Sequence, residues 1–223
     1  MTAASQATRT TDTDVAAVIF DLDGVLVDTF DVMRQAFRTA YEEVVGGDDA
    51  PFDEYNRHLG RYFPDIMEIM GLPAEMEEPF VRESYRLADR ATLFDGVAET
   101  VGSLRGRGLG LAVATGKAGD RARSLLDQLG LLRQFDHVVG SDEVAHAKPA
   151  PDIVWRALDL LDVPADEAMM VGDAVTDLAS ARAAGVRAVA AVWAGNDEMA
   201  MRRAHPDALV HRPAELLPLC ATR

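Results

Sequence analysis

Two aspartates separated by one residue, Asp21 and Asp23 in DLDG, follow directly on the apolar run VAAVIF at residues 15–20. Carboxylates at the end of a buried strand serve as nucleophile, general acid or base, or metal ligand when the backbone turns them into one crevice, and a bend at Gly24 would do so. Taken alone, DLDG is equally an ordinary strand-ending turn, because Asp and Gly are favoured turn residues. Thr115 in VATGK offers a hydroxyl, followed by backbone N–H groups that suit an oxyanion at a helix start; a plain helix N-cap has the same composition. Lys148 in HAKPAPD stands ahead of a helix in a segment stiffened by the two prolines that follow it, where a surface lysine is the ordinary alternative. Asp173 and Asp177 in VGDAVTD follow another apolar run. If a helix begins there, their four-residue spacing stacks them on one face, and capping with first-turn charge would account for either one singly.

The elements that must position these residues are legible as short apolar runs. Besides residues 15–20 they lie at 109–114, 136–139, 168–171 and 188–193, with a weaker one at 208–210, separated by segments of helical spacing. Such alternation predicts an α/β fold, a doubly wound parallel sheet with right-handed crossovers. Gly130 and Gly185 close helices at residues 121–129 and 177–184, and Pro151 opens one at 152–161. Between residues 28 and 94 no buried-strand run occurs, and helical spacing appears at 32–45, 52–59, 63–70 and 76–91. The expected organisation is therefore a tail over residues 1–14, a core over 15–27 and 95–223, and a smaller all-helical cap over 28–94. Inserted after the first strand, the cap lies above the carboxyl end of the sheet, where open α/β sheets bind ligands.

Each candidate residue falls at or soon after the C-terminal end of a different strand, a coincidence that independent capping roles do not predict. Brought together, the carboxylates of Asp21, Asp23, Asp173 and Asp177 repel unless a cation joins them and Lys148. Oxygen ligands without a His or Cys cluster favour Mg²⁺ over zinc.

Composition bounds the partners. With 48% hydrophobic and 26% charged residues the chain is globular, and a net charge of −15 argues against nucleic acid. No apolar run approaches the roughly 20 residues of a spanning helix, and the first residues lack a signal-like apolar stretch, so a cytoplasmic protein without membrane association is expected. The single cysteine, Cys220, fits a reducing compartment. Lys117 and Lys148 are the only lysines among 22 basic residues, which draws attention to both.

With DLDGVLVDT, VATG, the lysine of AKPAPD and VGDAVTD in that order, the chain resembles the haloacid dehalogenase superfamily of aspartate-nucleophile phosphohydrolases from about residue 15 to 217. The resemblance implies a Rossmann-like core with a helical cap. It makes Asp21 the nucleophile, which forms a transient aspartyl-phosphate, and Asp23 the general acid and base. Thr115, Gly116 and Lys148 would hold the phosphoryl group, and Asp21, Asp23, Asp173 and Asp177 would serve Mg²⁺. Dehalogenases of the superfamily lack an Asp at the position of Asp23, since halide leaves without a proton, so phosphate-ester chemistry is implied. Phosphonate-cleaving members use a cap lysine, and residues 28–94 contain none.

The expected activity is Mg²⁺-dependent hydrolysis of a small phosphorylated metabolite. A sugar phosphomutase is the alternative within the superfamily, although Met33 stands where β-phosphoglucomutases carry histidine. A catalytically silent metabolite-binding protein is the alternative outside enzymology. Substrate contacts are expected from Arg57, His58 and Arg61 in EYNRHLGRYF, with Tyr62 beside them; a solvated helix face is the ordinary reading of each. Residues 56–73 are also similar to phosphatases associated with aminohydroxybenzoate biosynthesis, and the general architecture is shared with phosphoglycolate phosphatases.

Overall fold

The computed structural model describes residues 14–220, so the tail expected over 1–14 lies outside the described residues except for Asp14. In chain order the elements are β1 (Ala17–Phe20), β2 (Val27–Asp28), α1 (Phe30–Val44), α2 (Phe52–Asn56), α3 (Phe63–Met70), α4 (Glu77–Arg86), β3 (Thr92–Leu93), α5 (Val97–Gly106), β4 (Gly110–Thr115), α6 (Gly119–Gln128), β5 (His137–Gly140), α7 (Asp152–Leu161), β6 (Ala168–Gly172), α8 (Val175–Ala184), β7 (Arg187–Ala191), α9 (Glu198–Arg203), β8 (Ala208–Val210) and α10 (Leu216–Leu219).

Because the β1 run is apolar on both faces, it must be covered on both, which a parallel sheet between two helical layers achieves. It occupies an inner place in a six-stranded sheet of order β5-β4-β1-β6-β7-β8. The pairing is parallel throughout, with Phe20 opposite Val113 of β4 and Val171 of β6. Alternation along β1 sends Val18 and Phe20 into the layer with Val101 and Leu104 of α5 and Leu126 of α6. Ala17 and Ile19 enter the opposite layer with Ile153 and Ala157 of α7 and Leu178 and Ala181 of α8. The chain leaves β1 towards β4 and β5 on one side, then returns to β6 on the other. A crevice opens at the carboxyl end of β1 where these directions part.

The helices between β2 and β3 form the cap around their own apolar cluster, which includes Phe37, Tyr55, Phe63, Ile66, Met76 and Phe80. Phe37 stacks on Tyr55 at 4.6 Å and Phe63 on Phe80 at 4.1 Å between ring centroids. The cap is not wholly helical: its entry and exit pair as a short antiparallel ribbon, Val27 opposite Leu93 and Asp28 opposite Thr92.

Helical spacing overran real ends in places. The segment expected at 52–59 stops at Asn56, where the chain turns through Gly60. That expected at 76–91 is helical only over Glu77–Arg86, flanked by 3₁₀ turns. No described helix is long and apolar enough to cross a membrane.

Phe37 is fully buried in the cap cluster and distant in sequence from the candidate site. Its truncation to alanine is expected to cost about 3 kcal/mol, read as a lowered urea midpoint.

Candidate active site

Asp21 continues β1 beyond its last paired residue, its N–H donating to Val171 O at 2.9 Å. The next residues form a compact turn in which Leu26 and Val27 both donate to Leu22 O, and Trp193 Nε1 donates to Val25 O at 3.0 Å. Gly24 adopts φ +79°, and a Cβ there would stand 2.1 Å from Asp173 Oδ2. Only glycine allows the turn and the close approach of Asp173 together.

Lys148 reaches beneath this crevice from the loop after β5. It is buried, with Nζ 3.0 Å from Asp21 Oδ1 and 2.7 Å from Asp177 Oδ1. Burial works against its charge, but Asp177 and Asp21 outweigh that and hold the ammonium above its ordinary range. Asp21 is also pushed up, from 3.8 to about 7, which for a carboxyl favours the neutral form; burial is the chief cause, then Asp177 and Asp23, with Lys148 opposing. Asp173 is likewise raised well above the ordinary carboxylate range by burial, Asp177 and Asp21. Carboxylate oxygens of Asp21, Asp173 and Asp177 lie within 4.8 Å of one another. One ammonium does not balance three clustered carboxylates, and an all-oxygen donor set fits a hard divalent cation.

The spacing of Asp173 and Asp177 works differently from the expected helical stacking. Helix α8 begins only at Val175, after an extended Ala174, so Asp173 lies outside it. The two still converge because Asp177 folds back, its Oδ2 accepting from Ala174 N–H at 3.0 Å. Asp23, expected with the metal ligands, presents its carboxylate elsewhere. Its Oδ1 accepts from Thr29 Oγ1 at 2.6 Å and its Oδ2 lies 3.3 Å from Lys117 Nζ.

Above the carboxylates is a cavity of about 480 Å³ between core and cap. Asp21, Asp23, Asp173, Thr115 and Gly116 line it from the core, and Arg57, Arg61 and Tyr62 from the cap. His58 is not among the lining residues, and Lys148 and Asp177 lie below the surface. Thr115 Oγ1 accepts from Lys117 N–H at 3.2 Å. The cap is closed: a Cβ on Gly116 would stand 2.7 Å from the carbonyl oxygens of Gly60 and Arg61.

Sequence reasoning missed several neighbours. Lys117 follows Thr115 by two positions and is one of two lysines, a signal that by itself suggests no role. Arg121 had no such mark; its guanidinium donates to Ser84 Oγ at 2.7 Å and lies 5.3 Å from the Phe80 ring centre, both in α4 of the cap. Asn196 donates to Asp173 O at 2.6 Å and to Ala191 O at 3.1 Å, fixing the backbone beside the carboxylate cluster.

The sequence profile described as haloacid dehalogenase-like hydrolase matches residues 18–191. The chain belongs to this family. It is 34% identical to "Probable phosphatase IndB" of Dickeya dadantii over 90% of its own length and 91% of the relative's. It is 36% identical to a phosphoglycolate phosphatase of Rhodospirillum rubrum over 78% of each chain. A solved hydrolase of Pseudomonas syringae superposes with a TM-score of 0.81 at 25% identity, covering 91% of this chain and 96% of that one. The protein is thus a phosphatase of the haloacid dehalogenase-like hydrolases.

Contact of Gly116 with the cap loop makes closure sensitive to a single methyl group. Gly116→Ala is expected to displace the cap loop, lowering the melting temperature by a few degrees, and to lower kcat/KM for phosphate release about a hundredfold at a temperature where the variant stays folded.

Proposed function

We propose that this hydrolase removes phosphate from a small phosphorylated metabolite, a sugar phosphate or a phosphoglycolate-like acid, through an aspartyl-phosphate on Asp21, with Mg²⁺ as cofactor. The observation that carries this reading is the buried contact of Lys148 with Asp21, 3.0 Å, at the edge of a three-carboxylate cluster below the cavity between core and cap. The relatives named as phosphatases support an ester substrate.

Asp21 attacks phosphorus in line, and the ester oxygen leaves with a proton from Asp23. Asp23 then takes a proton from the water that cleaves the aspartyl-phosphate. Thr29 and Lys117 fix the Asp23 carboxylate for both proton transfers. Lys148 orients Asp21 and favours its ionised form, while Thr115 and the N–H of Gly116 receive phosphoryl oxygens. Asp21, Asp173 and Asp177 are the carboxylates that would hold Mg²⁺, which when bound offsets charge on the transferring group. Arg57, His58 and Arg61 belong to the cap segment over the cavity, with Arg57 and Arg61 the two that line it. Met33, also lining it, has no acid–base group with which to pass phosphate between sugar hydroxyls, so free phosphate is the expected product.

Phosphate release from a panel of phosphomonoesters tests the mechanism. Asp21→Asn is expected to reduce it by about three orders of magnitude or more, and chelation of Mg²⁺ to abolish it. Turnover that survives either change, or an isomer formed without free phosphate, would overturn the proposal.

Proton linkage gives a second measurement. The unfolded Asp21 carboxyl ionises near 3.8 and the folded one near 7, so the metal-free protein loses stability from this group as pH rises between those values. Mg²⁺ competes with that proton. Its thermal stabilisation of the protein is expected to be larger at about pH 7.5 than at about pH 5.5, and to shrink in Asp173→Asn.

A further inference from the structure

Arg121 is a cation with no anion of its own. It rises from the first turn of α6 to the cavity wall, where it lies over the Phe80 ring and donates to the neutral Ser84 hydroxyl just outside the cavity lining. Among the described residues no carboxylate forms an ion pair with it; Asp23 and Glu77 act on it only at longer range, and Asp23 already faces Lys117. Leaving a guanidinium in a partly buried place without a carboxylate is costly unless a ligand supplies one. Phe80 beside Arg121 belongs to an apolar part of the cavity lining that also includes Met33, Tyr55, Phe63 and Ile66. At about 480 Å³ the cavity falls within the range that encloses ligands much larger than a two-carbon acid.

We propose that the substrate is a phosphomonoester with a bulky apolar body, such as a ring, and a separate carboxylate that pairs with Arg121. This rests on the phosphatase reading above and narrows it. The phosphoryl group lies on Asp21, the apolar body against the Phe63 and Phe80 wall, and the carboxylate on the guanidinium, in the two-pronged geometry that arginine offers an acid. Arg121 is then a specificity-determining residue. It takes no part in phosphoryl transfer, and by touching Ser84 and Phe80 it also ties substrate recognition to the closed cap.

The test compares 4-carboxyphenyl phosphate, phenyl phosphate and phosphoglycolate in wild-type enzyme, Arg121→Gln and Arg121→Lys. The carboxylated aryl ester is expected to have the highest kcat/KM. Arg121→Gln is expected to lower that value about tenfold or more beyond its effect on phenyl phosphate, chiefly through KM, with Arg121→Lys between the two. Equal losses on both aryl esters would reduce Arg121 to a structural tie and overturn the proposal, as would a preference for phosphoglycolate. Binding of 4-carboxyphenyl phosphate to Asp21→Asn, with and without Arg121→Gln, reads the same contact without turnover. Tighter binding when Arg121 is present supports the proposal, and equal binding overturns it. Failure of every ester to release phosphate in wild-type enzyme would instead count against the phosphatase mechanism.

Discussion

The arrangement at the end of β1 depends on one buried ammonium. Lys148 touches two of the three carboxylates in the buried cluster, Asp21 and Asp177. Acidic groups so close together are tolerated inside a protein only if some lose charge to protons or a cation offsets their desolvation. Both solutions are visible at once: Lys148 is held firmly charged, while Asp21 and Asp173 are driven towards protonation. The sheet order brings the contributing loops together, since β4 and β6 flank β1 and the β5 loop carries the lysine inward.

A site poised in this way stores unfavourable electrostatics that binding can relieve. Groups whose charges are poorly compensated in the protein alone are those best able to gain from a cation or a phosphoryl group. Stabilising such a site fully would remove the driving force for it to bind anything. The supporting contacts are correspondingly neutral and rigid, such as Asn196 on the backbone of Asp173 and Trp193 on the turn at Val25.

Much of this was legible in the sequence, for identifiable physical reasons. Strands such as β6 and β4 were readable because a short, continuous apolar run between helical segments must be covered on both faces, which a strand inside a parallel sheet provides. Asp21, Thr115 and Asp173 were readable because strand ends are marked by a change from apolar to polar residues, and Lys148 because it is a rare lysine in a proline-stiffened segment ahead of a helix. Helix ends in the cap were less so, since the turn after α2 packs Leu59 and Gly60 against Thr176 of the core, a contact that no local pattern encodes. Arg121 and Asn196 were invisible for the same reason: their partners lie across the cap interface or at a neighbouring strand end. The small β2–β3 ribbon also escaped notice, because two residues per strand carry no periodicity.

That ribbon has a mechanical consequence. A body joined to its neighbour by two adjacent, mutually hydrogen-bonded strands can pivot like a door on a single hinge without stretching the sheet it swings over. Displacement grows with distance from the pivot. The segment around Gly60, which rests against Gly116 and Thr176 when the door is shut, is therefore placed to travel far for a small change of angle at Val27 and Leu93.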